Sequence, residues 1–134
     1  FRRVLFRSAH DDRFQRKQAP FSLDMADREA VLKAIVEVCR YKDWGLLAAH
    51  VRTTHVHVVV AAEVAPELAM NAFKAYATRA MNQVRPEMRE RIRWARHGST
   101  LYLWTRQSVE DAVRYVLDKQ GAPMAWYVGA VRGD

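Results

Sequence analysis

Residues 55–60 read His-Val-His-Val-Val-Val, and this run constrains the fold more than any other stretch of the chain. Its β-branched side chains are stiff at χ1 and suit a pleated backbone, so the run predicts a strand. Alternation along a strand then turns Val56, Val58 and Val60 toward a core, while His55 and His57 project together from the other face. Just upstream, residues 44–51 are short, apolar and follow the turn signal Lys42-Asp43, which predicts a second strand. Only Arg52-Thr53-Thr54 separates the two, so they are placed to pair as an antiparallel hairpin.

Helical periodicity accounts for much of the remainder. Over residues 24–40, Val31, Leu32, Ile35, Val38 and Cys39 recur at intervals of three and four. Pro66 opens a second helix over residues 66–84, with Ala69, Ala72, Phe73, Tyr76 and Ala80 as the expected inward stripe. Gly98-Ser99-Thr100 precedes a third apolar run, Leu101-Tyr102-Leu103-Trp104, read as a strand. A last helix carries Val109, Ala112, Val113, Val116 and Leu117. Ser108 and Asp111 have the spacing of a capping box, and Gly121 and Pro123 stop the helix.

The order helix, strand, strand, helix, strand, helix predicts an α+β fold: a ferredoxin-like antiparallel sheet with the helices packed on one face. Such an arrangement wants one more strand before the first helix. Residues 1–8, Phe-Arg-Arg-Val-Leu-Phe-Arg-Ser, look like one reading frame of a short-read sequencing adapter and are read as an artefact. The expectation is therefore a domain over residues 9–134, incomplete at its N-terminus and lacking its first strand.

At 134 residues the chain suits a single core. Its formal charge of +7 suits a polyanionic partner, without separating nucleic acid from a membrane surface or from simple solubility. Setting aside Arg2, Arg3 and Arg7 leaves 19 basic against 15 acidic residues and a charge of +4. The single Cys39 excludes an internal disulfide and a CxxC metal site. No apolar run approaches the ~18 residues that span a bilayer, and no secretory signal is visible. A soluble, cytoplasmic protein without membrane contact is expected.

Two features carry chemistry. The imidazoles of His55 and His57 share a face, as two ligands of one divalent metal would, although an isolated HxH is more often a strand with its wetter side outward. Tyr115 lies about 60° around its helix from Ala112 and about 100° from Val116, so its ring rests at the core edge with an accessible hydroxyl. Such a tyrosine is more often packing than nucleophile.

The segments Ala49-His50-Val51-Arg52-Thr53-Thr54-His55-Val56-His57-Val58-Val59-Val60, Trp94-Ala95-Arg96-His97-Gly98-Ser99 and Tyr115-Val116-Leu117-Asp118-Lys119-Gln120-Gly121 together resemble the HUH single-tyrosine transposases. These comprise the insertion-sequence-200 type and its REP-associated relatives. The resemblance extends over nearly everything after residue 13, with Thr53-Thr54 standing where many members have Pro-Asn. It implies a transposase that cleaves and rejoins single-stranded DNA, at hairpin or palindromic ends, through a 5′-phosphotyrosine intermediate. Tyr115 would be the nucleophile, His55 and His57 would bind Mg2+ or Mn2+, and the protein would be nucleoid-associated and in some relatives homodimeric.

Relatives often place a third metal ligand four residues after the tyrosine. Here that residue is Lys119, which cannot ligate while protonated, so Gln120 is the favoured third ligand and Asp118 the alternative. Lys74, Arg79, Arg93 and Arg96 are the candidate DNA-phosphate contacts, and Trp94, Tyr102 and Trp104 the candidate stacking surfaces. Two other readings remain open: a non-catalytic single-stranded nucleic-acid-binding module of the same fold, and a metal-dependent nuclease that uses water. A fragment without its first strand is expected to be unstable and inactive.

Overall fold

The computed structural model describes residues 2–9, 22–89, 94, 98–118 and 123–129. Its elements are β1 (Arg2–Ala9), α1 (Met25–Lys42), β2 (Gly45–Val51), β3 (His55–Ala62), α2 (Pro66–Val84), a 3-10 turn (Pro86–Met88), β4 (Ser99–Tyr102), α3 (Arg106–Asp118) and β5 (Ala125–Val128). The strands form one sheet in the order β4-β1-β3-β2-β5. Every pairing is antiparallel, as the α+β reading requires.

β3 takes the centre because both of its faces are apolar. Val56, Val58 and Val60 join Val4, Phe6, Ala49 and Val51 in one core, closed by Val31, Ile35 and Val38 of α1 and Phe73, Ala77 and Met81 of α2. Phe73 is its hub, meeting Phe6 and Trp44 edge-on at 5.5 and 5.7 Å between ring centroids. Val59 enters a second core with Leu47, Ala48 and Leu103, closed by Val109, Ala112 and Val116 of α3. A strand covered on both sides reads as a near-continuous β-branched run.

Two details correct the sequence expectation. The helices do not share one face: α1 and α2 cover one side of the sheet and α3 the other. Leu5, Leu47, Ala48 and Val59 make the second side apolar, and the inward stripe of α3 buries it. Nor is the first strand missing, because Arg2–Ala9 fills that position. It pairs with β3 from Arg2↔Ala62 to Ala9↔His55 and with β4 from Val4↔Tyr102 to Arg7↔Ser99. Alternation explains the fit, since Val4 and Phe6 are buried under α1 and α2 while Leu5 packs toward α3. β5 was not foreseen: its four residues pair with β2 at the far edge.

β2 carries a register shift between Leu46 and Ala48. Leu47 and Ala48 consequently both face α3, and the residues after them change phase, as a bulge demands. Ala49 and Val51 then face α1 and α2, and His50 faces α3.

Local capping fixes the helices. Asp24 and Asp27 form a reciprocal capping box at the start of α1, and Asp43 closes its end in the left-handed region at φ 58°. The expected box at Ser108 and Asp111 is displaced: α3 begins at Arg106, and Thr105 and Ser108 exchange the capping bonds. Asp111 instead accepts from the Gln107 amide at 2.9 Å.

Candidate active site

β3 lies between β1 and β2 with His57 opposite both Arg7 and His50, so these three side chains form a row across the α3 face of the sheet. α3 lies over that row. Its buried Ala112 and Val116 anchor it, and Tyr115 between them stays 40% exposed. The Tyr115 ring meets His57 edge-on, with centroids 5.9 Å apart and an interplanar angle of 81°. His55 lies 6.3 Å from His57 in a near-parallel orientation. The structure thus brings together the three residues singled out for chemistry, all from one chain.

His57 is 1% exposed, and neither ring nitrogen has a hydrogen-bond partner. Burial, reinforced by the positive charge of Arg7 and by His55, His50 and Arg52, lowers its pKa from 6.5 to about 4. The ring is therefore neutral at physiological pH and keeps a lone pair. A buried imidazole with two unsatisfied nitrogens is costly by itself, on the order of 1–3 kcal/mol per unmade bond, which fits a side chain reserved for a ligand. His55 differs: it is half-buried, and its Nδ1 lies 2.9 Å from the Thr54 hydroxyl. That contact orients the ring as an outer partner orients a metal-binding histidine.

Beside His57 and Tyr115 opens a cleft of about 500 Å³ lined by Arg7, Ser99, Thr100, Ser108 and Asp111, with Leu5, Leu101 and Leu103 as its apolar wall. Arg7, the hydroxyls of Ser99, Thr100 and Ser108 and an apolar wall suit a phosphodiester carrying a nucleoside, with the Asp111 carboxylate, engaged by the Gln107 amide, as the anion in the lining. Arg7 escaped the sequence reading because it lies in the segment set aside as an artefact.

The other candidate residues are placed elsewhere. Lys74 and Arg79 stand on α2, across the sheet from the cleft. Burial lowers the Lys74 pKa, and Arg79 lies over the Tyr76 ring at 5.1 Å. Arg85 bridges Asp24 and Asp27 and so belongs to the α1 cap. Trp94 donates to the Thr78 hydroxyl at 2.6 Å and packs against the first core, whereas Trp104 is 77% exposed and stacks on Tyr102. Cys39 is buried, and burial pushes its thiol up to about 12, so it is inert. Arg93, Arg96, Lys119 and Gln120 lie outside the described residues. Among the described residues no third His, Cys, Asp or Glu completes a metal-binding group. No described helix is long and apolar enough to cross a membrane.

An antiparallel α+β sheet of this topology is also found in solved transposase structures. The fold matches a REP-associated tyrosine transposase bound to a REP hairpin, with a TM-score of 0.63 at 13% identity over 88% of this chain. This chain spans 66% of the length of that protein. It also matches a Deinococcus radiodurans R1 protein assigned as a transposase, with a TM-score of 0.53 at 12% identity, covering 91% of this chain and 92% of the other. No curated protein sequence matches the chain. The model of the IS200-like transposase family matches residues 14–118, and the chain belongs to that family.

Proposed function

We propose that the protein nicks and rejoins single-stranded DNA, with Tyr115 as nucleophile and His55 and His57 as ligands of a divalent metal. The observation that carries this reading is the Tyr115 ring standing against a buried His57 whose two nitrogens have no partner. Two imidazole ligands suit Mn2+, and Mg2+ if oxygen ligands complete the set. Gln120 is the proposed third ligand. The bound metal would polarise the scissile phosphate and offset the charge that builds on its oxygens.

The Tyr115 oxygen, having lost its proton, attacks phosphorus. The bond from phosphorus to the 3′-oxygen breaks, and that oxygen leaves as a 3′-hydroxyl with a proton taken up. The product is a 5′-phosphotyrosine, which conserves the phosphodiester linkage until a 3′-hydroxyl attacks it in reverse. Arg7, exposed at the cleft, would pair with a non-bridging phosphate oxygen, and the Leu101 and Leu103 wall would hold the adjoining base. The Tyr102–Trp104 stack offers a second base platform at the β4 edge. The hairpin bound in the structure of the REP-associated relative supports a hairpin substrate.

The test is incubation of the protein with end-labelled single-stranded hairpin oligonucleotides and Mn2+ or Mg2+. A denaturation-resistant protein–DNA adduct absent from Tyr115→Phe is expected. Cleavage that persists in Tyr115→Phe would replace this reading with a water-using nuclease, and binding without cleavage would leave a DNA-binding module.

A further inference from the structure

His50 is completely buried on the face that carries His57, yet it has no open nitrogen for chemistry. Its Nε2 lies 3.0 Å from the backbone nitrogen of Met124, and a backbone N–H can only donate. The lone pair is therefore on Nε2 and the proton on Nδ1, which donates to the Val116 carbonyl at 2.9 Å. His50 cannot serve a metal without giving up one of these bonds.

What the ring holds is more telling. Val116 is among the last four residues of α3, whose carbonyls have no partner within the helix, and it adjoins Tyr115. Met124 leads into β5. One imidazole thus ties both flanks of residues 119–122 to β2, at the position directly opposite His57. Apart from the Tyr115 ring, α3 meets the sheet through Val109, Ala112 and Val116 with Val113 and Leu117 beside them, and such apolar packing is non-directional.

We propose that His50 is a positioning residue that fixes the rotation and height of the end of α3, and so holds the Tyr115 phenol over His57. The proposal rests on the role of Tyr115 given above, but its geometry is testable without that role. Asn at position 50 retains a donor near the place of Nδ1 and so the Val116 bond. Gln retains an acceptor near the place of Nε2 and so the Met124 bond.

The experiment compares wild type, His50→Asn and His50→Gln by adduct formation on a hairpin oligonucleotide, by hairpin affinity, by Tm and by the Tyr115–His57 ring NOE in metal-free protein. His50→Asn is expected to keep the NOE and a near-normal rate. His50→Gln is expected to lose the NOE and to form adduct about tenfold to a hundredfold more slowly, the loss that a misplacement of about 1 Å produces, with hairpin affinity unchanged. A normal NOE and rate in His50→Gln, or losses in both variants that follow Tm alone, would overturn the proposal. If wild type forms no adduct, the Tyr115 reading fails while the NOE comparison still decides the clamp. Should both variants misfold, nitrogen NMR of the wild-type ring decides: a proton on Nδ1 supports the clamp and a proton on Nε2 refutes it.

Discussion

Tyr115 presents its ring edge-on to His57, 5.9 Å between centroids, while its helix neighbours Ala112 and Val116 are buried against the sheet. The contact is made by the aromatic ring, so the hydroxyl is separable from the packing. Tyr115→Phe is therefore expected to change stability by less than about 0.5 kcal/mol, the usual range for a surface substitution. Adduct formation should vanish. A large fall in Tm on chemical or thermal unfolding would show that the hydroxyl is structural.

The unpartnered state of His57 makes stability depend on pH. Its folded pKa of about 4 lies below the unfolded value of 6.5, so the unfolded chain binds the extra proton first as pH falls. The stabilisation is fully present above pH 6.5 and is lost progressively down to about pH 4, by on the order of 3 kcal/mol in the metal-free protein. Urea unfolding at pH 7, 5 and 4 in the presence of a chelator measures it. In His57→Leu this part of the slope should disappear.

Metal binding should be visible apart from catalysis. If His57 and His55 hold the ion, saturating Mn2+ raises Tm by mass action, about 2.7 kcal/mol at a hundredfold excess over Kd. His57→Ala should abolish the shift, whereas Lys74→Ala, on a helix across the sheet, should leave it intact. An equal shift in all three proteins would place the ion elsewhere.

The Arg85 pairing predicts a stability defect rather than a DNA-binding defect. Asp27 is 2% exposed, accepts from Arg85 at 2.8 Å and also caps α1. Asp27→Ala should cost about 1–3 kcal/mol and exceed the cost of Arg85→Ala, because it removes the cap as well as the pair. Hairpin affinity of folded Arg85→Ala should stay near that of wild type. A steep loss of affinity without a loss of stability would place Arg85 at the DNA interface instead.

Much of this organisation is legible from residues alone. The valines of β3 and the periodicity of α1 and α2 carry their own backbone preferences, and strand alternation and helical spacing single out His55, His57 and Tyr115. The face on which α3 packs was not legible, because alternation within β3 treats one side as apolar and leaves Val59 and Ala48 unweighed. The environment of His50 was hidden by the bulge at Leu47, since counting by twos along residues 44–51 loses phase at the extra residue. The artefact reading of residues 1–8 concerns their origin and says nothing of their backbone preference, and Val4 and Phe6 alternate as a buried strand should. β5 is only four residues long, with half-exposed side chains, and carries too weak a pattern to be read.

The central place of β3 gives the two halves of the site different lifetimes. Amides of a strand hydrogen-bonded on both sides and buried under two layers exchange with solvent only when the whole domain opens, whereas a thirteen-residue helix on the outside can detach at lower cost. Hydrogen exchange should therefore protect the amides around His55 and His57 longer than those around Tyr115.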